Sequence, residues 1–339
     1  MKSLVIESVG VSRLAEIPDP HPVGPGEVLI KVDFVGLCGS DLNTFMGTNP
    51  LALLPRTPGH EISGTVLTPG EGVGVPLVRG ARVVVVPYTS CGRCSACRNG
   101  RTNACRYNRT LGVQQEGGLS ELLVVPADKL IVNSTLRQRH LALVEPLSVG
   151  FHAVTRGGVQ KSDRVLVLGC GMIGIGVILG AVARGAEVIA VDLGQRKRDL
   201  VLAMGASHFI ASAEVDLSSA IAELTEGNGV DVVVEAVGVP ETFTKAIDLA
   251  CFTGRVVYVG YSKLPVTYET SLFNLKELDI RGSRNATRAD FEAVIQHLET
   301  TGETADALVS RVFALDEAAQ ALPYWLRERS DTFKILVAC

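Results

Sequence analysis

The sequence predicts an α/β protein of two domains, the first rich in short, mostly antiparallel strands and the second built on a doubly wound parallel sheet. Three observations carry this expectation. The 339 residues are about two domains' worth of chain, and 47% apolar with 20% charged residues is ordinary for a globular protein. Up to about residue 90, strand-like runs follow one another with Pro and Gly between them and no helical period. Beyond about residue 150, strand and helix alternate, which implies right-handed crossovers and a parallel sheet. Domain bounds of 1–149 with 288–339, and 150–287, are expected.

In chain order, Glu27–Val35 alternates polar and apolar residues, Glu61–Leu67 follows a Pro58-Gly59 turn, and Arg82–Val86 is a β-branched run closed by Pro87. In the second region VLVLG (165–169) precedes an apolar helix, and EVIAVD (187–192) precedes the helical QRKRDLVLAMGA (195–206). VDVVVEAVG (230–238) precedes a helix read through PETFTKAIDLACFTG (240–254), and RVVYVG (255–260) is the next strand. A helix from Arg288 to Thr300 and a closing strand, FKILVAC (333–339), complete the chain. The uncharged stretch Val165–Ala183 has the length of a membrane span and a G-x-x-x-G pair at Gly176 and Gly180. Its five glycines crowded into 169–180 favour a buried strand, a tight turn and a buried helix instead.

A net charge of −4 gives no electrostatic reason to expect nucleic acid or an anionic membrane as partner. MKSLVIESVG lacks the long apolar region of a secretory signal, so the eight cysteines read most simply as free thiols and metal ligands in a reducing compartment, the cytoplasm by default.

Four of those cysteines, Cys91, Cys94, Cys97 and Cys105, form a C-x2-C-x2-C-x7-C cluster within a lobe near 88–108. Four soft thiolates at short spacing can close a tetrahedron around one ion with no place left for water, the pattern of a structural zinc site. A ferredoxin-type run would place the fourth cysteine about three residues on and a proline after it, whereas Arg106 follows here. A redox C-x-x-C leaves Cys97 and Cys105 unexplained, and a disulfide framework belongs to small secreted chains.

The strand Val165–Leu168 runs into Gly169-Cys170-Gly171-Met172-Ile173-Gly174, a G-x-G-x-x-G that opens a helix, and Asp192 ends the next strand. Here Gly169 would permit the tight turn, Gly171 the approach of a pyrophosphate, and Gly174 close packing of helix on strand. The helix N-terminus offers unpaired N–H groups to phosphate. Asp192 can accept from an adenosine ribose and would repel a 2′-phosphate, which favours NAD; Arg196, Lys197 and Arg198 pull the other way, since a basic cluster can receive that phosphate.

With four cysteines assigned, Cys38 in GLCGSD (36–41) and His60-Glu61 at the head of a strand remain. One thiolate, one imidazole and one carboxylate would leave zinc an open fourth position, as catalysis requires. At this point the chain resembles the zinc-dependent medium-chain alcohol/polyol dehydrogenases from Val28 to the C-terminus, through GLCGSD, PGHE, the four-cysteine lobe, VEPLSVGFHA, the glycine motif and DVVVEAVG. The resemblance implies a GroES-like β-rich catalytic domain, rejoined by the C-terminal segment, and a Rossmann domain. It implies two zinc ions per chain, NAD as cofactor, and a homodimer or homotetramer.

Carried over by position, the resemblance makes Cys38 and His60 ligands of a catalytic zinc, with Glu61 or Glu145 as a further ligand or as the group that holds the zinc-bound water. Ser40 would receive the substrate's hydroxyl proton, and Asp41 would hydrogen-bond His60 and fix its tautomer. Val237 and Gly238, in DVVVEAVG, would join Gly169, Gly171, Met172, Ile173, Gly174, Asp192 and Arg196 at the cofactor. Many relatives carry histidine where Asn43 stands, so an outer proton relay would need water or a cofactor hydroxyl. Substrate contacts are expected from Asn43, Gln114 and Arg284. Runs 111–118 and 282–287 resemble the bacterial branch of L-galactonate 5-dehydrogenase-like enzymes, whose members have histidine at the place of Gln114. Arg284 fits either a sugar-acid carboxylate or an ordinary salt bridge. The function implied is oxidation of a polyol or sugar acid such as an aldonate. A simple alcohol or threonine-type dehydrogenase of the same fold is the alternative, and a nucleotide-binding sensor the alternative outside enzymes.

Overall fold

The computed structural model describes every residue except Glu303, Ser330 and Asp331. The chain forms two units, Met1–Glu145 with Ile295–Cys339, and Pro146–Val294. Both boundaries fall inside helices, Val144–Gly157 and Arg288–Thr301.

The first unit is built on a seven-stranded sheet ordered Val309–Ala314, Lys334–Ala338, Glu27–Gly36, Glu61–Pro69, Arg82–Val85, Leu130–Val132, with Leu122–Pro126 also paired to Glu27–Gly36. All pairs are antiparallel except the one between the first two strands. The alternation in Glu27–Gly36 does what its period dictates, burying Val28, Ile30 and Val32 against Ile62, Val66, Val83, Ile335 and Val337. Each such fully buried side chain stabilises by on the order of 1.5–3 kcal/mol. An antiparallel hairpin, Lys2–Ser8 with Val11–Glu16, adds Leu4 and Ile6 to the same core.

The second unit holds a parallel sheet of six strands in the order His208–Ala211, Glu187–Asp192, Arg164–Leu168, Val230–Glu235, Ala250–Tyr258, Asp279–Gly282. Numbered along the chain this is 3-2-1-4-5-6, the doubly wound order whose reversal lies between the strands Arg164–Leu168 and Val230–Glu235. The three strands Arg164–Leu168, Glu187–Asp192 and Val230–Glu235 are nearly continuous runs of buried apolar residues, as a parallel sheet covered on both faces requires. The stretch of membrane-span length divides into the strand ending at Leu168 and the helix Met172–Ala183. Gly176 lets that helix meet Val144–Gly157 backbone to backbone, since a Cβ there would lie 2.5 Å from the Leu147 carbonyl oxygen. Among the described residues no helix is long and apolar enough to cross a membrane.

One predicted element shifts. The helix read through residue 254 ends at Leu249, and 250–254 begin the next strand, with Ala250 paired to Val230 and Thr253 at φ 61°. The β-branched and aromatic residues Phe252 and Thr253, followed by Gly254, suit an irregular strand better than a helix end.

Candidate active site and metal centres

Cys38 lies between the strand Glu27–Gly36 and the helix Gly39–Phe45, where its backbone is still extended at φ −100°, ψ 157°. Glu61 heads the adjacent strand, paired with Gly36, and His60 immediately precedes it. Gly36 is required there, because a Cβ on it would lie 2.0 Å from Glu61 Oε2. The ligand-type atoms of Cys38, His60 and Glu61 all lie within 4.8 Å of one another.

Asp41 joins the two segments that carry these donors. Its carboxylate accepts from the Cys38 N–H at 2.8 Å and from the Gly59 N–H at 3.2 Å. The expected hydrogen bond to the imidazole is absent: His60 Nδ1 is buried with no partner. Asp41 is consumed by the backbone because it sits at the third position of the helix, where a carboxylate reaches back to the first N–H groups. It therefore shapes the donor set by fixing two turns. Ser40 Oγ is also buried without a partner.

Two residues that sequence reasoning missed complete the environment. Lys334 Nζ, in the closing strand, donates to Glu61 Oε1 at 2.6 Å, to Glu61 Oε2 and to the Leu37 carbonyl at 2.9 Å. Both side chains of this ion pair are at most 2% exposed. Tyr88 O–H donates to Glu145 Oε1, and both residues are buried. The only signals were a lysine heading an otherwise apolar strand and a tyrosine just before the cysteine lobe.

The balance of charge fits a cation. Asp41, Glu61 and Glu145 are buried beside the half-buried Cys38, with the ammonium of Lys334 and the imidazole of His60 set against them. Burial pushes the carboxyls of Asp41 and Glu145 upward. Burial would lower the pKa of His60, but Cys38 first, then Asp41 and Glu145, outweigh it and hold the ring well above its ordinary value. An excess of buried anionic donors around an imidazole with an unpartnered nitrogen is the donor chemistry of a zinc site.

The four-cysteine lobe is equally ready. All four sulfurs lie within 4.8 Å of one another and none is in a disulfide. Cys94 Sγ is 3.6 Å from Cys97 Sγ and 3.9 Å from Cys105 Sγ. Zinc–sulfur bonds of about 2.3 Å in a tetrahedron place sulfurs about 3.8 Å apart. Backbone N–H groups of Cys97 and Arg106 bring the Cys94 thiol down to about 6.

In the second unit Gly169 takes φ +95°, and a Cβ on Gly174 would lie 1.8 Å from the Gly169 carbonyl oxygen, so turn and helix close only with glycine at both places. Met172 and Ile173 open the helix that follows, whose N-cap is Gly171. Asp192 Oδ2 accepts from the Cys170 N–H at 2.9 Å and from Lys197 Nζ at 3.0 Å, while Oδ1 accepts from the Leu193 N–H. Arg196 lies on the same 195–197 turn. Glu235, not foreseen, accepts through Oε1 from the N–H groups of Val237 and Gly238 and from the Thr242 hydroxyl, pinning the loop after its strand.

The expected substrate contacts are placed less tellingly. Asn43 Oδ1 accepts from the Thr48 hydroxyl at 3.3 Å, closing the turn after its helix. Gln114 Oε1 accepts from the Thr110 N–H at 2.8 Å and braces its own loop. Arg284 belongs to the second unit, half-buried beyond the strand Asp279–Gly282.

Residues 24–134 match the alcohol dehydrogenase GroES-like domain, and residues 173–300 match the zinc-binding dehydrogenase domain. L-galactonate-5-dehydrogenase of Escherichia coli is 33% identical over 91% of this chain and 90% of its own. Sorbitol dehydrogenase of Halalkalibacterium halodurans is 33% identical over 99% of both chains. Among solved structures, an E. coli alcohol dehydrogenase (rspB) complexed with NADH superposes with a TM-score of 0.92 at 30% identity, covering 100% of this chain and 99% of that one. A zinc-binding dehydrogenase of Sinorhizobium meliloti bound to NADP gives 0.88 at 33% identity, with the same coverage. The chain belongs to the zinc-type alcohol and polyol dehydrogenases, with a GroES-like domain and a Rossmann domain.

Proposed function

We propose that the chain oxidises a secondary alcohol of a polyol or sugar acid, with NAD as hydride acceptor, a catalytic zinc at Cys38, His60 and Glu61, and a structural zinc at Cys91, Cys94, Cys97 and Cys105. The observation that carries this reading is the compact thiol–imidazole–carboxylate set, its imidazole and carboxylate buried, with the unpartnered hydroxyl of Ser40 two residues from Cys38. Zinc held there would supply Lewis acidity to the substrate hydroxyl. Ser40 Oγ, having no competing hydrogen bond, would accept the hydroxyl proton and pass its own on to water or a cofactor hydroxyl, while the carbinol carbon gives up its hydrogen as hydride to the nicotinamide. Asp41 keeps Cys38 and His60 in place through the backbone. The Gly169–Gly174 turn would hold the pyrophosphate, Asp192 the adenosine ribose, and Val237 and Gly238 the nicotinamide half. The names of the E. coli and H. halodurans relatives support a sugar acid or a polyol as substrate.

A screen of polyols, aldonates and simple alcohols with NAD and NADP, followed by reduced-nicotinamide absorbance, tests the reading. At least one polyol or aldonate should exceed every simple alcohol by about tenfold or more in kcat/KM. A simple alcohol as the best substrate would overturn the assignment.

Cofactor choice should rest on Asp192. Its replacement by Ser removes the charge that Lys197 now neutralises and leaves that ammonium for a 2′-phosphate. The ratio of kcat/KM for NAD to that for NADP should fall by about tenfold or more, at about 1.4 kcal/mol per factor of ten. An unmoved ratio would show that Asp192 does not face the ribose.

A further inference from the structure

We propose that Tyr88 is a positioning residue: its phenol holds the Glu145 carboxylate off the metal position, so that one place there stays open to substrate. The inference rests on the metal site proposed above. Two observations carry it. Tyr88 O–H donates to Glu145 Oε1 in a contact where Tyr88 is 5% and Glu145 4% exposed. The compact donor set is Cys38, His60 and Glu61, and Glu145 stands outside it, although Glu145 is close enough to interact electrostatically with His60 and Glu61.

A buried carboxylate so near a divalent cation is drawn toward it, and a fourth protein ligand would close a site that must remain open. A neutral donor engaged with one carboxylate oxygen opposes that movement. Tyr88 is suited to the task because a phenol is a donor throughout the working pH range of such enzymes. Its backbone is fixed by an isolated bridge to Thr110 and its side chain is buried, which leaves the hydroxyl little freedom. Tyr88 touches no reacting atom in this account and acts through Glu145.

Cobalt placed in the catalytic position, with zinc kept in the lobe, reports the coordination directly. The probes are the visible absorption of the cobalt and the rate at which a chelator removes it. Wild type and Glu145→Gln should both show the intense bands of four-coordinate cobalt. In Tyr88→Phe the Glu145 carboxylate takes the fourth place, so the bands should stay intense but shift in wavelength, and cobalt release should slow by about threefold or more. In the double variant Tyr88→Phe/Glu145→Gln both readouts should return to those of Glu145→Gln. Tyr88→His, which keeps a ring donor, should lie nearer to wild type than Tyr88→Phe and serves if the latter is too unstable to purify. Unchanged bands and release rate in Tyr88→Phe, or a change that persists without Glu145, would overturn the proposal. Failure of the wild-type protein to bind cobalt outside the lobe would overturn the metal assignment and this proposal together.

Discussion

Ser40→Ala should lower kcat by about 10²–10⁴-fold, the usual worth of a positioned acid–base group, with bound metal and NAD affinity nearly unchanged. The expectation follows from geometry: Ser40 Oγ is buried and has no partner, so its hydrogen-bonding capacity is held in reserve for something that arrives. The backbone of Ser40 is otherwise engaged, its carbonyl accepting from the Thr44 hydroxyl, so removing Oγ leaves the helix intact. Asn43→Ala should be mild by comparison, because Asn43 closes a turn with Thr48 and cannot titrate. The check is kcat against pH for both variants with saturating NAD and the best substrate of the screen. A near-normal kcat in Ser40→Ala would mean that the alcohol proton leaves by another route.

Lys334→Met should destabilise the metal-free protein by about 3–5 kcal/mol, because it leaves the Glu61 charge buried without the ammonium that pairs with it. Adding Glu61→Gln to it should recover most of that loss, since the cost comes from the stranded charge more than from the missing pair. Bound zinc should also recover part of it, by giving Glu61 another cation. Urea unfolding of the single and double variants, with and without zinc, measures all three effects. A single variant as stable as wild type in the absence of metal would show that Glu61 is protonated or solvated when Lys334 is gone.

Most of the second unit was legible because its signals are local. The strand Arg164–Leu168, the glycine turn and the helix after it are consecutive in the chain, and Gly169 and Gly174 each have a steric reason to be there. The same holds for the cysteine lobe, where the ligands lie within one short loop. The helix end at Leu249 was misread because Ala250, Cys251 and Phe252 continue the apolar run without a break, and only pairing with Val230 decides the matter. Cys38, His60 and Glu61 could be read as a candidate donor set once the other cysteines were assigned, but their roles came only through the resemblance, as none stands out by itself. Lys334 was invisible for a plainer reason. It meets Glu61 across 273 residues of sequence, brought there by the antiparallel return of the last strand onto Glu27–Gly36. Tyr88 and Glu145 are 57 residues apart, the one in an isolated bridge and the other in the first turn of a helix, so no local pattern links them. Asp41 was assigned to the right neighbourhood and the wrong partner, because backbone N–H groups at a helix start compete for a nearby carboxylate and here they win.

The central claim is a division of labour between two metal sites, and zinc analysis of the wild type beside Cys38→Ser and Cys94→Ser tests it most directly. The wild type, purified without chelator, should carry two zinc ions per chain. Cys38→Ser should keep the lobe zinc, melt near the wild-type temperature and show no turnover. Cys94→Ser should lose the lobe zinc and a large part of its stability, as structural zinc contributes directly to folding. Equal unfolding by the two substitutions, or a wild type with fewer than two zinc ions, would contradict the account.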